Sequence, residues 1–360
     1  MIVDAHTHVF PPMGGPSGFR TTRDHMRFVR WLMFHRSAGR RLDDNSIVVG
    51  RDWYKGEDPD DLHFRGGRHG KFLWTAGGVD YSRQYLPPTL AGLASPPELI
   101  VAQMDYVGVD KAVIQTGHTY GRLNGYLAAT VRRFPDRFGA LAMVDEWRID
   151  QPGQIRALDR AIDELGLRGL SFQTGNIQGL GRTEPLDDPG FFPFWDRVRE
   201  MGIPVFWNIT TREPGREAYL AEHAAFGRWL ERYPEITSVY THGIPLYRFQ
   251  ETGKVSLPRE VWEPLHAPNL IVEILIPILQ GFAWDYPYVE ARPIIREYYE
   301  RLGPDRLAWG SDLPNVERFC TYRQSLDYLR RYCDFIGPAD MSKICGGNIQ
   351  RLFDGRPTPS

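Results

Sequence analysis

Residues 1–10 read MIVDAHTHVF, and residues 307–314 read LAWGSDLP. Each is a short apolar run that ends in groups able to hold a metal. In a strand, residues two apart share a face. His6 and His8 at the end of a first strand therefore send two imidazoles to one place. Asp312 follows the last apolar run. If the two runs are the first and last strands of a closed barrel, they are neighbours, and a carboxylate joins the two imidazoles. That is a hard-to-borderline ligand set.

Between these ends the chain alternates short apolar runs with helical periodicity. Strands are expected at Met1–Ala5, Lys111–Thr116, Phe138–Val144, Gly169–Gln173, Pro204–Ile209, Thr237–Thr241, Leu270–Leu275 and Leu307–Gly310. Helical stretches precede most of them, among them 95–107, 154–165, 216–232 and 291–302. Two closing helices are expected near 316–332 and 339–353. Eight buried strands separated by helices predict an α/β fold, a (β/α)8 TIM barrel. A doubly wound sheet is the competitor, but no GxGxxG turn follows the first strand.

The chain of 360 residues is expected to be one barrel domain, with residues 9–94 inserted after strand 1. This segment is rich in aromatics, Trp31, Trp53, Tyr54 and Trp74 among them, and carries Arg36, Arg40, Arg41, Arg51, Arg65 and Arg68. It leaves the barrel on the C-terminal side of the strand, the face where barrel active sites lie. A lid or substrate wall over that face is expected, with a fold-stabilising cap as the plainer alternative. Arg65, Arg68 and Trp74 are the candidate substrate-binding residues.

A formal net charge of −2 argues against a nucleic-acid partner held by phosphate neutralisation. Only five of the 43 basic residues are Lys, so guanidinium groups dominate. They suit phosphate and carboxylate recognition. The three cysteines (Cys320, Cys333, Cys345) form no CxxC, so neither a disulfide framework nor a Cys-rich zinc site is expected. No apolar run is long enough to span a membrane, and the N-terminus lacks the pattern of a signal peptide. A cytoplasmic enzyme is expected, with homo-oligomerisation left open.

DAHTH at the start, THG at 241–243, WGSDLP at 309–314 and the closing KICGGNIQRLF resemble the amidohydrolase-related branch typified by aminocarboxymuconate-semialdehyde decarboxylase. The resemblance implies a metal at the C-terminal face, with His6, His8 and Asp312 as ligands. His242 corresponds to the family's acid/base or second-metal histidine. Two positions depart from the pattern. Asn208 stands where the family usually has a ligand histidine after the fifth strand. Gln173 ends the fourth strand, where binuclear hydrolases carry a carbamylated lysine.

With His118 and Glu146 at strand ends, the candidate metal set is His6, His8, His118, His242, Glu146 and Asp312. His242, Asn208 and Gln173 are the candidate catalytic groups. Glu273 reads as a structural ion-pair partner, and Glu317 is a further carboxylate. Six donors suit two metals, or one with a crowded surround.

Two functions follow. The altered ligands and the aromatic insertion resemble the TIM-barrel diiron monooxygenase branch of the superfamily, which includes the platensimycin and platencin hydroxylase. That resemblance implies two irons, dioxygen, an electron donor and a bulky substrate, terpenoid or acyl, carried as a CoA thioester. This reading is placed first. The second is a zinc or manganese hydrolase, or a non-oxidative decarboxylase of an aromatic acid, with His242 as acid/base.

Overall fold

A computed structural model describes residues 1–34, 39–48, 62–179, 182–211, 215–251 and 253–354. Arg36, Arg51, Trp53 and Tyr54 lie outside the described residues. The chain divides into two compact units: residues 1–7, 101–115 and 124–360, and residues 8–100 with 116–123.

The first unit carries eight parallel strands: β1 (Val3–Thr7), β2 (Lys111–Ile114), β3 (Phe138–Ala140), β4 (Leu170–Gln173), β5 (Val205–Asn208), β6 (Ser238–Tyr240), β7 (Leu270–Ile274) and β8 (Leu307–Trp309). They pair in chain order, as β1-β2-β3 and β4-β5-β6-β7-β8. The bridges Ala142↔Leu170 and Thr7↔Leu313 join the two sheets at both seams and close the barrel. Each expected strand is present, though most are shorter than the apolar run that announced them. The exception is β1, which reaches Thr7 and so takes His6 inside the strand.

Alternation sorts the strand residues. Val3, Ala5, Val113, Phe206, Val239, Ile271 and Ala308 form one apolar layer with Leu141 and Ile349. The other face packs against helices. Trp207 pairs in register with Phe172. Trp207 meets Trp195 of the helix Phe192–Met201 and Trp229 of the helix Arg216–Arg232, at ring-centroid distances of 5.2 and 4.5 Å. Asn208 and Gln173 are two residues on from Phe206 and Ser171. Both therefore lie on the inner face at the C-terminal strand ends.

One element breaks the alternation. Asp4 pairs with Ala112 and Thr7 with Ile114, so three steps along β1 match two along β2. The extra residue is a bulge, which reverses the phase of the side chains beyond it. Val3 and Ala5 face the inner layer before the bulge. His6 follows on the same side, and Asp4 points the other way.

The helix expected over 316–332 begins only at Tyr322. Asn315–Arg318 is a short 3₁₀ turn, and Thr321 starts the helix Tyr322–Tyr332 with a capping box: Thr321 and Gln324 each bond the other's backbone. Tyr322 and Ser325 on its buried face reach the barrel wall. Trp309 Nε1 donates to Ser325 O at 2.7 Å.

The second unit has its own core. Antiparallel strands Ile47–Val48, Gly39–Arg41, Val79–Gln84, Lys71–Ala76 and Arg65–Gly66 form one sheet in that order. Its central hairpin turns at Gly77–Gly78, both at positive φ, as a two-residue hairpin loop of type I′ requires. Leu62, Trp74, Ala76 and Tyr81 are buried together. The helix Thr22–Phe34 is tied to this sheet by Arg83 Nη1, which donates to Met33 O at 2.7 Å. Among the described residues no helix is long and apolar enough to cross a membrane.

Candidate metal centre

The site grows from the two ends of the chain's barrel. Asp312 N donates to His6 O at 2.8 Å, which ties the turn after β8 to β1. Behind that tie sits Asp4, on the far side of the bulge and fully buried. Its Oδ1 accepts from His6 N at 3.0 Å and Ser311 N at 2.9 Å. Its Oδ2 accepts from Ser311 Oγ at 2.5 Å and Tyr322 OH at 2.9 Å. Burial pushes this carboxyl up to about 7, and the four donated hydrogen bonds oppose the rise. Asp4 thus anchors both residues that flank the site.

His6, His8 and Asp312 converge: one ligand atom from each lies within 4.8 Å of the others, and all three residues are buried. His6 Nε2 stands 3.9 Å from Asp312 Oδ1. That is too long for a hydrogen bond. Two donors on one tetrahedral ion sit about 3.4 Å apart, so small rotamer shifts suffice. Two imidazoles and one carboxylate fit a single divalent cation. His6, His8 and Asp312 would hold it.

Glu273 sets the orientation of His6. Its Oε2 lies 3.1 Å from His6 Nδ1 and accepts from His242 N at 2.5 Å. With Nδ1 donating to the carboxylate, Nε2 keeps its lone pair for the cation. Space for this carboxylate exists because residue 310 is glycine: a Cβ there would stand 2.2 Å from Glu273 Oε1. The ion-pair expectation for Glu273 is met by its pairing with His6.

His242 borders the cluster. Its ring lies 4.7 Å from that of His6, and its Nε2 is 3.7 Å from Asp312 Oδ2. His242 and Asp312 both hold positive φ, 66° and 59°. Such strain in non-glycine residues gathers at functional sites. Asp312 Oδ1 is steadied by Asn315 Nδ2 at 2.7 Å.

Of the six candidate donors, three form one tight cluster. Among the described residues, the group whose donor atoms converge is His6, His8 and Asp312. Glu146 opens a 3₁₀ turn, and its Oε1 accepts from Gln173 N at 3.3 Å. Gln173 Nε2 in turn faces Thr210 Oγ1 at 3.4 Å. These groups form a polar string near the ends of β3, β4 and β5. In the second unit the His118 ring lies 5.4 Å from Phe28 and the His8 ring 4.6 Å from Tyr120. Glu317 accepts from Gln103 at 2.7 Å.

The three substrate-binding candidates separate as well. Trp74 is 2% exposed and stacks on Tyr81 inside the sheet core. Strand alternation buries Phe72, Trp74 and Ala76 together, so Trp74 is a core residue rather than a wall for substrate. Arg68 lies in an exposed turn. Arg65 lines a cleft of the second unit. Sequence reasoning missed Asp4 and Ser311. Their signal was adjacency, two residues before His6 and one before Asp312.

Known proteins resemble this chain along most of its length. A 2-keto-4-carboxy-3-hexenedioate hydratase of Sphingobium sp. strain SYK-6 is 23% identical over 249 residues, 64% of this chain and 70% of that protein. An L-fucono-1,5-lactonase of Burkholderia ambifaria is 26% identical over 255 residues, 68% and 80% of the two chains. The fold is similar to that of a dihydroxybenzoic acid decarboxylase from Polaromonas sp. JS666, solved with manganese and 2-nitroresorcinol: TM-score 0.54, 19% identity, 74% of this chain and 88% of that one. The amidohydrolase family pattern matches residues 3–355, and the chain is a member of that metal-dependent TIM-barrel family.

Proposed function

We propose that this chain is a divalent-metal hydrolase or non-oxidative decarboxylase acting on a small organic acid or lactone through one metal ion. The observation that carries this reading is the convergence of His6, His8 and Asp312, with His242 beside them. A divalent cation held there supplies Lewis acidity. Glu273 holds His6 by Nδ1 and so keeps Nε2 directed at the cation. Asp4 and Ser311 fix the backbone on either side. His242 Nε2 moves a proton to or from the substrate, and its strained backbone keeps the ring over Asp312.

The related hydratase and lactonase, and the manganese-bound decarboxylase of like fold, support this class over oxygenation. The diiron reading rests on a resemblance in the altered ligands and the aromatic insertion. Three converging donors favour a single ion, for which manganese or zinc is the expectation.

The test is metal analysis with parallel assays. About one Mn or Zn per chain is expected. Either CO2 release from hydroxylated aromatic acids or acid release from sugar lactones should then persist without dioxygen. Two irons per chain, with turnover that stops on removing dioxygen, would refute the proposal.

A further inference from the structure

The ends of β4 and β5 carry a pair of carboxamides on the inner face of the barrel. Gln173 and Asn208 are the last residues of their strands, and their Cα atoms are partners in the parallel register. Neighbouring strands lie about 4.8 Å apart, so the two amides stand side by side. Both residues are half-buried. Gln173 is engaged on one side: its Nε2 faces Thr210 Oγ1 at 3.4 Å, and that hydroxyl oxygen also accepts from Gly175 N at 3.2 Å. Among the described residues the Asn208 carboxamide has no hydrogen-bond partner. The backbone beneath the pair is fixed beyond the last paired residues. Thr174 N donates to Asn208 O at 3.2 Å, and Thr210 N donates to Thr174 Oγ1 at 3.0 Å. The amides thus stand on rigid strand ends, which suits precise recognition.

The pair also lies beside the acid/base histidine in strand order. Trp207 pairs with Tyr240 of β6, and Trp207 O accepts from Thr241 N at 2.8 Å. Asn208 is therefore level with Thr241, one residue before His242. Two strand spacings put β4 about 10 Å from β6. With side chains reaching inward from both, one substituted six-membered ring spans what remains.

We infer that Gln173 and Asn208 bind a hydroxyl group of the substrate and set its specificity, an inference that rests on the proposed reading of the metal centre. A carboxamide carries both a donor and an acceptor, and so does a hydroxyl. One hydroxyl between the amides donates to one carbonyl oxygen and accepts from the other NH2. A carboxylate only accepts, and would leave a carbonyl oxygen facing its charge. The amides select a hydroxyl away from the bond that reacts, and leave the cation and His242 to the reacting group. Asn208, where the family usually has a ligand histidine, then holds substrate in place of metal. The ring of a sugar lactone and that of a hydroxylated aromatic acid share this chemistry.

The experiment is calorimetric titration of the full, manganese-loaded chain with two pairs of unreactive probes. One pair is a polyhydroxylated δ-lactam beside δ-valerolactam; the other is 2-nitroresorcinol beside nitrobenzene. In at least one pair the hydroxylated probe is expected to bind about tenfold tighter or more, as a site built around a hydroxyl requires. The pair with the larger contrast identifies the source, sugar or hydroxyaromatic. Asn208→Leu and Gln173→Met keep side-chain bulk and remove the polar atoms. Each should cut that contrast by about fivefold or more, by weakening the hydroxylated probe and not its hydroxyl-free partner. The two positions test the pair independently should one variant fail to fold. Gln173→Glu, which keeps an acceptor, should retain more of the contrast than Gln173→Met. Metal content on the same samples reports on the centre separately. Metal bound as expected with no contrast in the parent chain, or with a contrast that survives both substitutions, would overturn the inference and leave the metal reading standing. A chain that binds neither manganese nor zinc would overturn both.

Discussion

Glu273→Gln is the substitution that tests the centre most directly. The amide keeps the size and shape of the carboxylate, so the packing against Gly310 survives. What changes is charge. Oε2 accepts from His242 N at 2.5 Å and faces His6 Nδ1 at 3.1 Å. A hydrogen bond to a charged acceptor exceeds a neutral one by about 1 kcal/mol. Two such bonds amount to about 2 kcal/mol, or roughly 30-fold in an equilibrium constant. The His6 bond acts on metal affinity by fixing the tautomer and raising imidazole basicity, an effect of about 10–100-fold in comparable sites. Glu273→Gln should therefore weaken metal binding by about 30-fold. The assay is competition with a chelating dye for manganese and for zinc, with unfolding in urea as a control. Glu273→Ala should do more, since it also removes the acceptor for His242 N. If Glu273→Gln binds both metals within threefold of the parent chain, the orienting role assigned to Glu273 is wrong.

Further outcomes follow from the same geometry. Gly310→Ala places a Cβ 2.2 Å from Glu273 Oε1 and 2.9 Å from His6 Cβ. It should cost about 1–3 kcal/mol in urea unfolding and lower metal occupancy at the same time. Asp4→Ala strands the donors of Ser311 N, His6 N and Tyr322 OH. At about 1–3 kcal/mol each, the loss should reach at least about 3 kcal/mol, and Asp4→Asn, which keeps one acceptor oxygen, should lose less. His223 is fully buried against Val261 O, and burial lowers its imidazole to about 4. The unfolded chain takes up this proton below about pH 6.5 and the folded chain only near pH 4, so stability falls as pH drops through that window, by about 3 kcal/mol. His223→Phe should remove that part of the pH slope in unfolding measured from pH 7 to 4.

The legible part of the molecule was the part governed by local rules. Apolar runs between helical periods announced all eight barrel strands, and HxH with GSD announced three converging donors. The helix Arg216–Arg232 has the bounds its periodicity predicted. Less was legible where a residue's role depends on a partner far along the chain. Glu146 and Asp312 are both acids at strand ends. One serves the backbone of Gln173, and the other closes the metal cluster. Trp74 looked like a substrate wall because composition cannot tell which face of a strand is buried. Asn208 and Gln173 sit on the inner face as expected from their strands, but their spacing says nothing of what they touch.

The sequence alone determined that this chain forms a closed eight-stranded barrel with metal-binding groups at its ends, since both follow from periodicity and residue type. It also determined that the fifth strand ends in an amide rather than an imidazole. Only the tertiary structure decided how the centre is aimed. By strict alternation Asp4, His6 and His8 share a face, opposite Val3 and Ala5. The bulge in β1 reverses that phase beyond Ala5, which turns His6 inward and leaves Asp4 to bind Ser311 and Tyr322. A bulge is a mismatch between two strands far apart in the chain, Asp4 pairing with Ala112, so no local pattern in either strand records it. The same holds for Glu273 and Gly310, whose fit depends on β1, β7 and β8 lying side by side.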